Sequence, residues 1–247
     1  MSQIKTFQEI SKSDIAIAGG KGASLGEMTQ AGIPVPNGFV IITDAYNKPL
    51  DEKEIFAAFD KLKTIHVAVR SSATAEDSNN TSWAGQLETY LNVTREKLIE
   101  SIKKCWASIN TNRAICYAKE NKIPKSKQKV AVVIQKMIDS HISGVMFTAN
   151  PVTSSRDQIV LESCFGLGES LVQGLVTPDS FLIDKKNLKI ISQNIVLRTL
   201  SHDQVLDLTK LAIEIEKHYN YPQDIEWAID KNNKIFILQS RPITTLK

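Results

Sequence analysis

Lys21 stands between glycines in "GGKGASLGEM", residues 19–28, and helix-forming residues follow it. A helix start already carries partial positive charge, so a lysine placed there calls for an anion. Glycines also let backbone N–H groups approach a phosphate closely. The spacing is not G-x-x-x-x-G-K-S/T, so this is no Walker loop, and a plain loop-to-helix turn is the alternative reading. Arg70 closes the apolar stretch of "HVAVRSS". Its guanidinium can fork onto phosphate oxygens or pair with Glu76 or Asp77. In "DIEWAI", a period of two places Asp224, Glu226 and Ala228 on one face. Paired carboxylates on a strand are either solvated or gather a hard cation such as Mg²⁺. Gln239 and Arg241 share a face of "LQSRP". If these two strands form a hairpin, two carboxylates, an amide and a guanidinium converge. Glu162 and Glu169 flank the glycine turn of "ESCFGLGESLVQG", where they either assist a metal or orient the turn.

The elements that must position these residues follow from patterning. Leu25 and Met28 give a short helix over 20–31, stopped by Gly32 and Pro34. "GFVIIT", "HVAVRSS" and "ETYLNV" read as strands, and residues 51–62 as an amphipathic helix. "SATAEDSNNTSWAGQ" reads as a loop long enough to suspect function. Thr94 is placed to cap a helix running over 95–120. The lysine-rich "KIPKSKQK", 122–129, reads as a connector, which sets lobes at 1–125 and 126–247. Beyond it come "VAVVIQKMI", "SGVMFTA", "QIVLES", "SFLID" and "KIISQNIV" as strands. Ser201 and Gln204 form a capping box opening a helix to about Tyr219. "DKNN" turns "DIEWAI" into "KIFILQS" as a hairpin.

Composition removes several function classes. The formal charge of +3 is spread along 247 residues, so no polyanion beyond a small phosphate ligand is expected, and no nucleic acid. Tyr46, Trp83 and Trp106 are too dispersed for a base-stacking platform. His66, His141, His202 and His218 show no ligand spacing, and none neighbours an exposed glycine-rich turn, so all four read as structural. No apolar run is long enough for a membrane span, and the start of the chain has no signal-peptide core. Cys105, Cys116 and Cys164 fit a reducing cytosol and read as small buried hydrophobes. A cytoplasmic location is expected.

Joined in order, "GGKGASLGEM…AGIPVPNGFVIIT", "VAVRSSATAEDS", "WAGQLETYLNV", "VIQKM", "SGVMFTANPVT", "GLGESLVQGLVTPDSF", "DIEWA" and "ILQSRPIT" closely resemble one domain family. It is the nucleotide-binding domain of the phosphoenolpyruvate synthase, pyruvate phosphate dikinase and rifampin phosphotransferase group. The resemblance covers nearly the whole chain. It implies an α+β fold of ATP-grasp type, with two lobes of mainly antiparallel sheet and flanking helices that close on ATP and Mg²⁺. It also implies roles. Lys21 and Arg70 would hold the ATP phosphates, and Gly85 and Thr89 would lie along the phosphate-covering loop. Gln135 would reach the adenine or ribose region. Glu226 and Gln239 would hold Mg²⁺ with Asp224 in support, and Arg241 would stabilise the transferring phosphoryl group. Full-length members turn ATP into AMP and pass a phosphoryl group to a histidine on a swivelling domain, which an acceptor-binding domain follows.

Two departures qualify the resemblance. Only residues 47–66 stand where relatives carry a helical insert, and the chain ends just after "SRPITTLK". None of the four histidines has the G-G-x-x-S-H-type context. The phosphohistidine domain and the acceptor-binding domain are therefore expected on another chain or absent from this one. The alternatives are a non-catalytic ATP-binding module and an ATP-grasp kinase or ligase with a small acceptor.

Overall fold

The computed structural model describes residues 2–46, 48–74, 88–120, 123–124 and 129–246. The chain divides into two units, Met1–Met137 and Ile138–Lys247. The division falls after the strand read from "VAVVIQKMI", not within the lysine-rich connector. That strand pairs on both sides with strands of the first unit.

The first unit contains β1 (Ile4–Thr6), α1 (Ile15–Gln30), β2 (Gly38–Ile41), α2 (Glu52–Lys61), β3 (Val67–Ala73), β4 (Thr89–Val93), α3 (Leu98–Ala107), α4 (Asn112–Glu120) and β5 (Val130–Lys136). Its sheet has the order β1-β2-β5-β3-β4, and every pairing is antiparallel. Alternation sends Val67, Val69, Val132 and Ile134 into a core with Ile55 and Phe59 of α2 and Leu98, Ile102 and Cys105 of α3. α1 also packs on β3 and β5.

The expected helix over 95–120 is broken. A 3₁₀ turn precedes α3, another follows it, and Thr111 is extended before α4. The Ser108 hydroxyl donates to Cys105 O at 2.7 Å, and Thr111 Oγ1 accepts from Ala114 N at 3.3 Å to start the next helix. These short polar side chains compete with the helical ladder. Thr94 heads the first 3₁₀ turn without a side-chain cap. Cys105 and Cys164 are buried as expected, but Cys116 is exposed on α4.

The second unit contains β6 (Ser140–Phe147), β7 (Gln158–Phe165), α5 (Glu169–Val172), β8 (Asp179–Asp184), β9 (Ile190–Asn194), α6 (His202–Tyr219), β10 (Gln223–Asp230) and β11 (Ile235–Pro242). The sheet order is β11-β10-β6-β7-β8-β9, again antiparallel throughout. Ser201 and Gln204 cap α6 reciprocally, at 3.2 and 2.9 Å. Val205, Leu208, Ala212 and Ile215 bury the inner stripe of α6, which packs on β10. The Asp230 carboxylate accepts from Asn232 N and Lys234 N at 2.8 and 2.9 Å, closing the hairpin turn.

Register shifts between Glu226 and Trp227. Glu226 faces Gln239 while Trp227 faces Ile237, so Leu238 is the extra residue of a bulge. Ile237 therefore joins the buried Trp227, while Gln239 and Arg241 stay with Glu226 and Asp224 on the other face.

Asp179 is fully buried and accepts from Val196 N, Leu197 N, Thr199 N and Thr199 Oγ1 at 2.6–2.7 Å. No helix among the described residues is long and apolar enough to cross a membrane.

Candidate functional site

In the first unit, α1 is kinked where Gly19 adopts φ 69, ψ 174, two residues before Lys21. The conformation and the space both demand glycine, since a Cβ there would run into the carbonyl and hydroxyl oxygens of Ser72. The expected glycine cradle is mostly packing. Gly22 lies against Val40, Gly26 lies against Ile10, and Gly22 N–H donates to Ser72 Oγ at 3.1 Å. The kink and Lys21 itself remain as candidate ligand features.

Arg70 of β3 stands opposite Thr89 of β4, so the two share a face. Gln135 of β5 stands opposite Ala68, on that same face and one pair along. Arg70 Nη1 donates to Gln135 Oε1 at 3.3 Å. Arg70 is 8% and Gln135 3% exposed. Because the amide oxygen turns to the guanidinium, Gln135 Nε2 is buried with no hydrogen-bond partner among the described residues. This face of the sheet thus gathers buried donors, which suits an acceptor-rich anion. Gly85 lies outside the described residues, as do Glu76 and Asp77, the alternative partners of Arg70.

In the second unit, the β10–β11 hairpin forms as the alternation predicts. Asp224 stands opposite Arg241 and Glu226 opposite Gln239. Arg241 Nε donates to Asp224 Oδ2 at 2.8 Å, and Nη2 lies 2.7 Å from the same oxygen. Burial pushes the Asp224 carboxyl up, Arg241 pulls it down, and Glu226 adds to the rise; the outcome is a raised pKa. Val145 of β6 stands between Glu226 and Glu162 of β7, so that row continues across three strands.

Asp224, Glu226, Glu162 and Arg241 line a cleft of about 220 Å³, together with Leu171 and Val172 of α5. Glu162 thus joins the cleft, whereas Glu169 is not among its lining residues. The glycine turn before α5 is held by Ser143 Oγ, which donates to Gly166 O at 2.7 Å. His141 does neighbour this glycine turn, contrary to the expectation from sequence. Its carbonyl accepts from Gly166 N at 2.9 Å and its ring lies 5.7 Å from that of Phe165.

The donor set fits Mg²⁺. Glu226 and Gln239 offer hard oxygens on adjacent strands, and Mg²⁺ commonly takes only one or two protein carboxylates beside phosphates and waters. Among the described residues, no group of three or more acidic, histidine or cysteine side chains is placed to hold a metal ion. The Arg241 pairing also engages Asp224. Sequence reasoning missed Ser72, although its signal was present: it lies two residues beyond Arg70 on the same strand face.

Two antiparallel-sheet units with flanking helices, one gathering donors and the other acids, an amide and a guanidinium, define an α+β protein of ATP-grasp type. D-alanyl-alanine synthetase A from Vibrio cholerae O1 biovar eltor str. N16961 shares the fold, with TM-score 0.50 and 9% identity, over 94% of this chain and 56% of that one. The chain belongs to the pyruvate phosphate dikinase AMP/ATP-binding domain family, whose model matches residues 15–64, 52–198 and 196–247.

The probable phosphoenolpyruvate synthase of Methanocaldococcus jannaschii is 36% identical, covering 100% of this chain and 27% of the relative. The phosphoenolpyruvate synthase of Pyrococcus furiosus is 35% identical over 99% of this chain and 44% of its own length. The rifampicin phosphotransferase of Bacillus subtilis is 34% identical over 99% of this chain and 36% of its own. The chain therefore spans less than half the length of these relatives.

The Methanocaldococcus match runs over 322 aligned positions against 247 residues here, so that relative carries extra residues within the matched region. The matched stretches of the family model meet at 52–64 and 196–198. α2 occupies the first junction, with Asp51 capping it through Glu54 N at 3.0 Å and Ile55 and Phe59 buried.

Proposed function

We propose that this chain is the ATP-binding part of a dikinase-type phosphotransferase, acting on Mg·ATP and releasing AMP. The phosphoryl group would pass to a histidine on a swivelling domain, carried by another chain or by a longer form of this one. The observation that carries the reading is the donor face of the first sheet, where the buried Arg70–Gln135 pair leaves an amide N–H₂ without an acceptor among the described residues. A ligand rich in acceptor oxygens satisfies it.

In this reading Lys21 and Arg70 hold the phosphates, and Gln135 donates to an oxygen or ring nitrogen of the nucleotide. Gly85 and Thr89 lie along the phosphate-covering loop. Glu226 and Gln239 would hold Mg²⁺ with Asp224 in support, and the ion would neutralise charge on the transferring group. Asp224 also holds Arg241. Held by the carboxylate from across the strand, the guanidinium is oriented before ligand arrives, and pre-set charge is what phosphoryl transfer needs. The unpaired cysteines are consistent with a reducing cytosol.

Product analysis tests the proposal. The chain is incubated with Mg·ATP and a histidine-bearing domain from a family relative, and the nucleotides are separated. AMP with phosphohistidine is expected. ADP would indicate an ordinary kinase or ligase, and unchanged ATP a binding module; either result overturns the dikinase reading.

A further inference from the structure

We infer that Ser72 is a positioning residue for phosphate binding, its hydroxyl setting the place of Lys21 relative to Arg70. The inference rests on the proposal that Lys21 and Arg70 hold ATP phosphates. In an uninterrupted helix the Gly22 N–H would donate to Ala18 O, four residues back. Here the Ser72 hydroxyl is spliced into that bond. It accepts from Gly22 N at 3.1 Å and donates to Ala18 O at 2.8 Å. A side chain inserted into the ladder is a recognised cause of a sharp kink, and this one coincides with Gly19 at φ 69. The interrupted turn, residues 18–22, contains Lys21.

The hydroxyl comes from β3, two residues beyond Arg70, so both side chains rise from the same strand face. Ser72 is 0% exposed, and its own oxygens fill the space that a Gly19 side chain would need. One hydroxyl therefore ties the lysine turn to the strand that carries the arginine. Stability alone does not require this arrangement, because direct closure of Ala18 on Gly22 would satisfy both backbone groups without a kink. The device makes sense where the position of the lysine matters.

Mg·ATP affinity measured by calorimetry tests this, for wild type, Ser72→Ala, Lys21→Ala and the double variant. Ser72→Ala is expected to weaken binding about tenfold, the size of one lost or misplaced charge-assisted contact. In the Lys21→Ala background the same change is expected to make less than about a twofold difference, because the hydroxyl acts through the lysine. A general loosening of the fold would instead weaken binding equally in both backgrounds, and that result overturns the inference. So does wild-type affinity in Ser72→Ala while Lys21→Ala binds weakly. Equal affinity of wild type and Lys21→Ala overturns the phosphate assignment as well. Should Ser72→Ala fail to fold, Ser72→Cys keeps the volume with a weaker hydrogen-bonding group and is read in the same cycle.

Discussion

Arg241 and Asp224 face each other at the open end of the β10–β11 hairpin, and two nitrogens of the guanidinium close on the same carboxylate oxygen, at 2.8 and 2.7 Å. Burial raises the Asp224 carboxyl, Arg241 opposes that rise, and Glu226 reinforces it. A raised folded-state pKa means that ionised Asp224 works against folding above the ordinary carboxylate range. That burden is relieved as pH falls through the raised value. Removing the opposing cation should aggravate it. Arg241→Gln is expected to cost about 1.5–3 kcal/mol at pH near 7, with the loss shrinking toward about pH 4 as Asp224 takes up a proton. Urea denaturation at the two pH values measures this.

Asp179 behaves in the opposite sense. Burial pushes its carboxyl up, but the hydrogen bonds from Thr199, Leu197 and Val196 outweigh it and hold the pKa down to about 2. Stability from this group is complete above the ordinary carboxylate value and is lost as pH falls toward about 2. Asp179→Asn should cost about 2 kcal/mol near neutrality. The gap from wild type should close in strong acid, as read by denaturation midpoints across the acid range.

Lys21→Ala and Arg70→Ala should each weaken Mg·ATP binding by about 1.5–3 kcal/mol without unfolding the chain. Thermal unfolding offers a direct view, because ligand at about 100 times its Kd adds about 2.7 kcal/mol of stability. The wild type should show the shift, and each variant should need far more nucleotide to match it. Full shifts in both variants at the same nucleotide concentration would remove these residues from the site.

Glu226→Gln should separate metal from nucleotide. Wild-type affinity for ATP is expected to fall when a chelator replaces Mg²⁺. The variant should bind ATP with similar affinity in either condition, since the charge that gathers the cation has gone. Retained Mg²⁺ dependence in the variant would move the metal elsewhere.

Residues whose chemistry depends on local periodicity are legible in the amino-acid order alone. Alternation puts Gln239 with Arg241 and Asp224 with Glu226, and the Asx-rich turn makes their strands a hairpin. Ser201 and Gln204 announce the start of α6. What escapes is set by distant partners. The glycines around Lys21 read as a phosphate cradle, yet Gly22 and Gly26 are small because Val40 and Ile10 press on them. Nothing within residues 19–28 reveals a serine about fifty positions away that opens the helix there. The continuous 95–120 helix fails because apolar spacing persists across Ser108 and Thr111, whose side chains redirect the backbone. The bulge is hidden for a similar reason. "IFIL" is apolar throughout and carries no alternation to count.

The extra residue at Leu238 joins two grammars in one strand. On the turn side of it, β11 alternates in step with the core under α6; on the other side, it alternates in step with the cleft. Sequence length at that point is therefore itself a functional parameter. Removing Leu238 would leave every other side chain of the hairpin unaltered. It would also force a choice between turning Gln239 and Arg241 to the Trp227 face and turning Ile237 out of the core, a switch of address that no single substitution could produce.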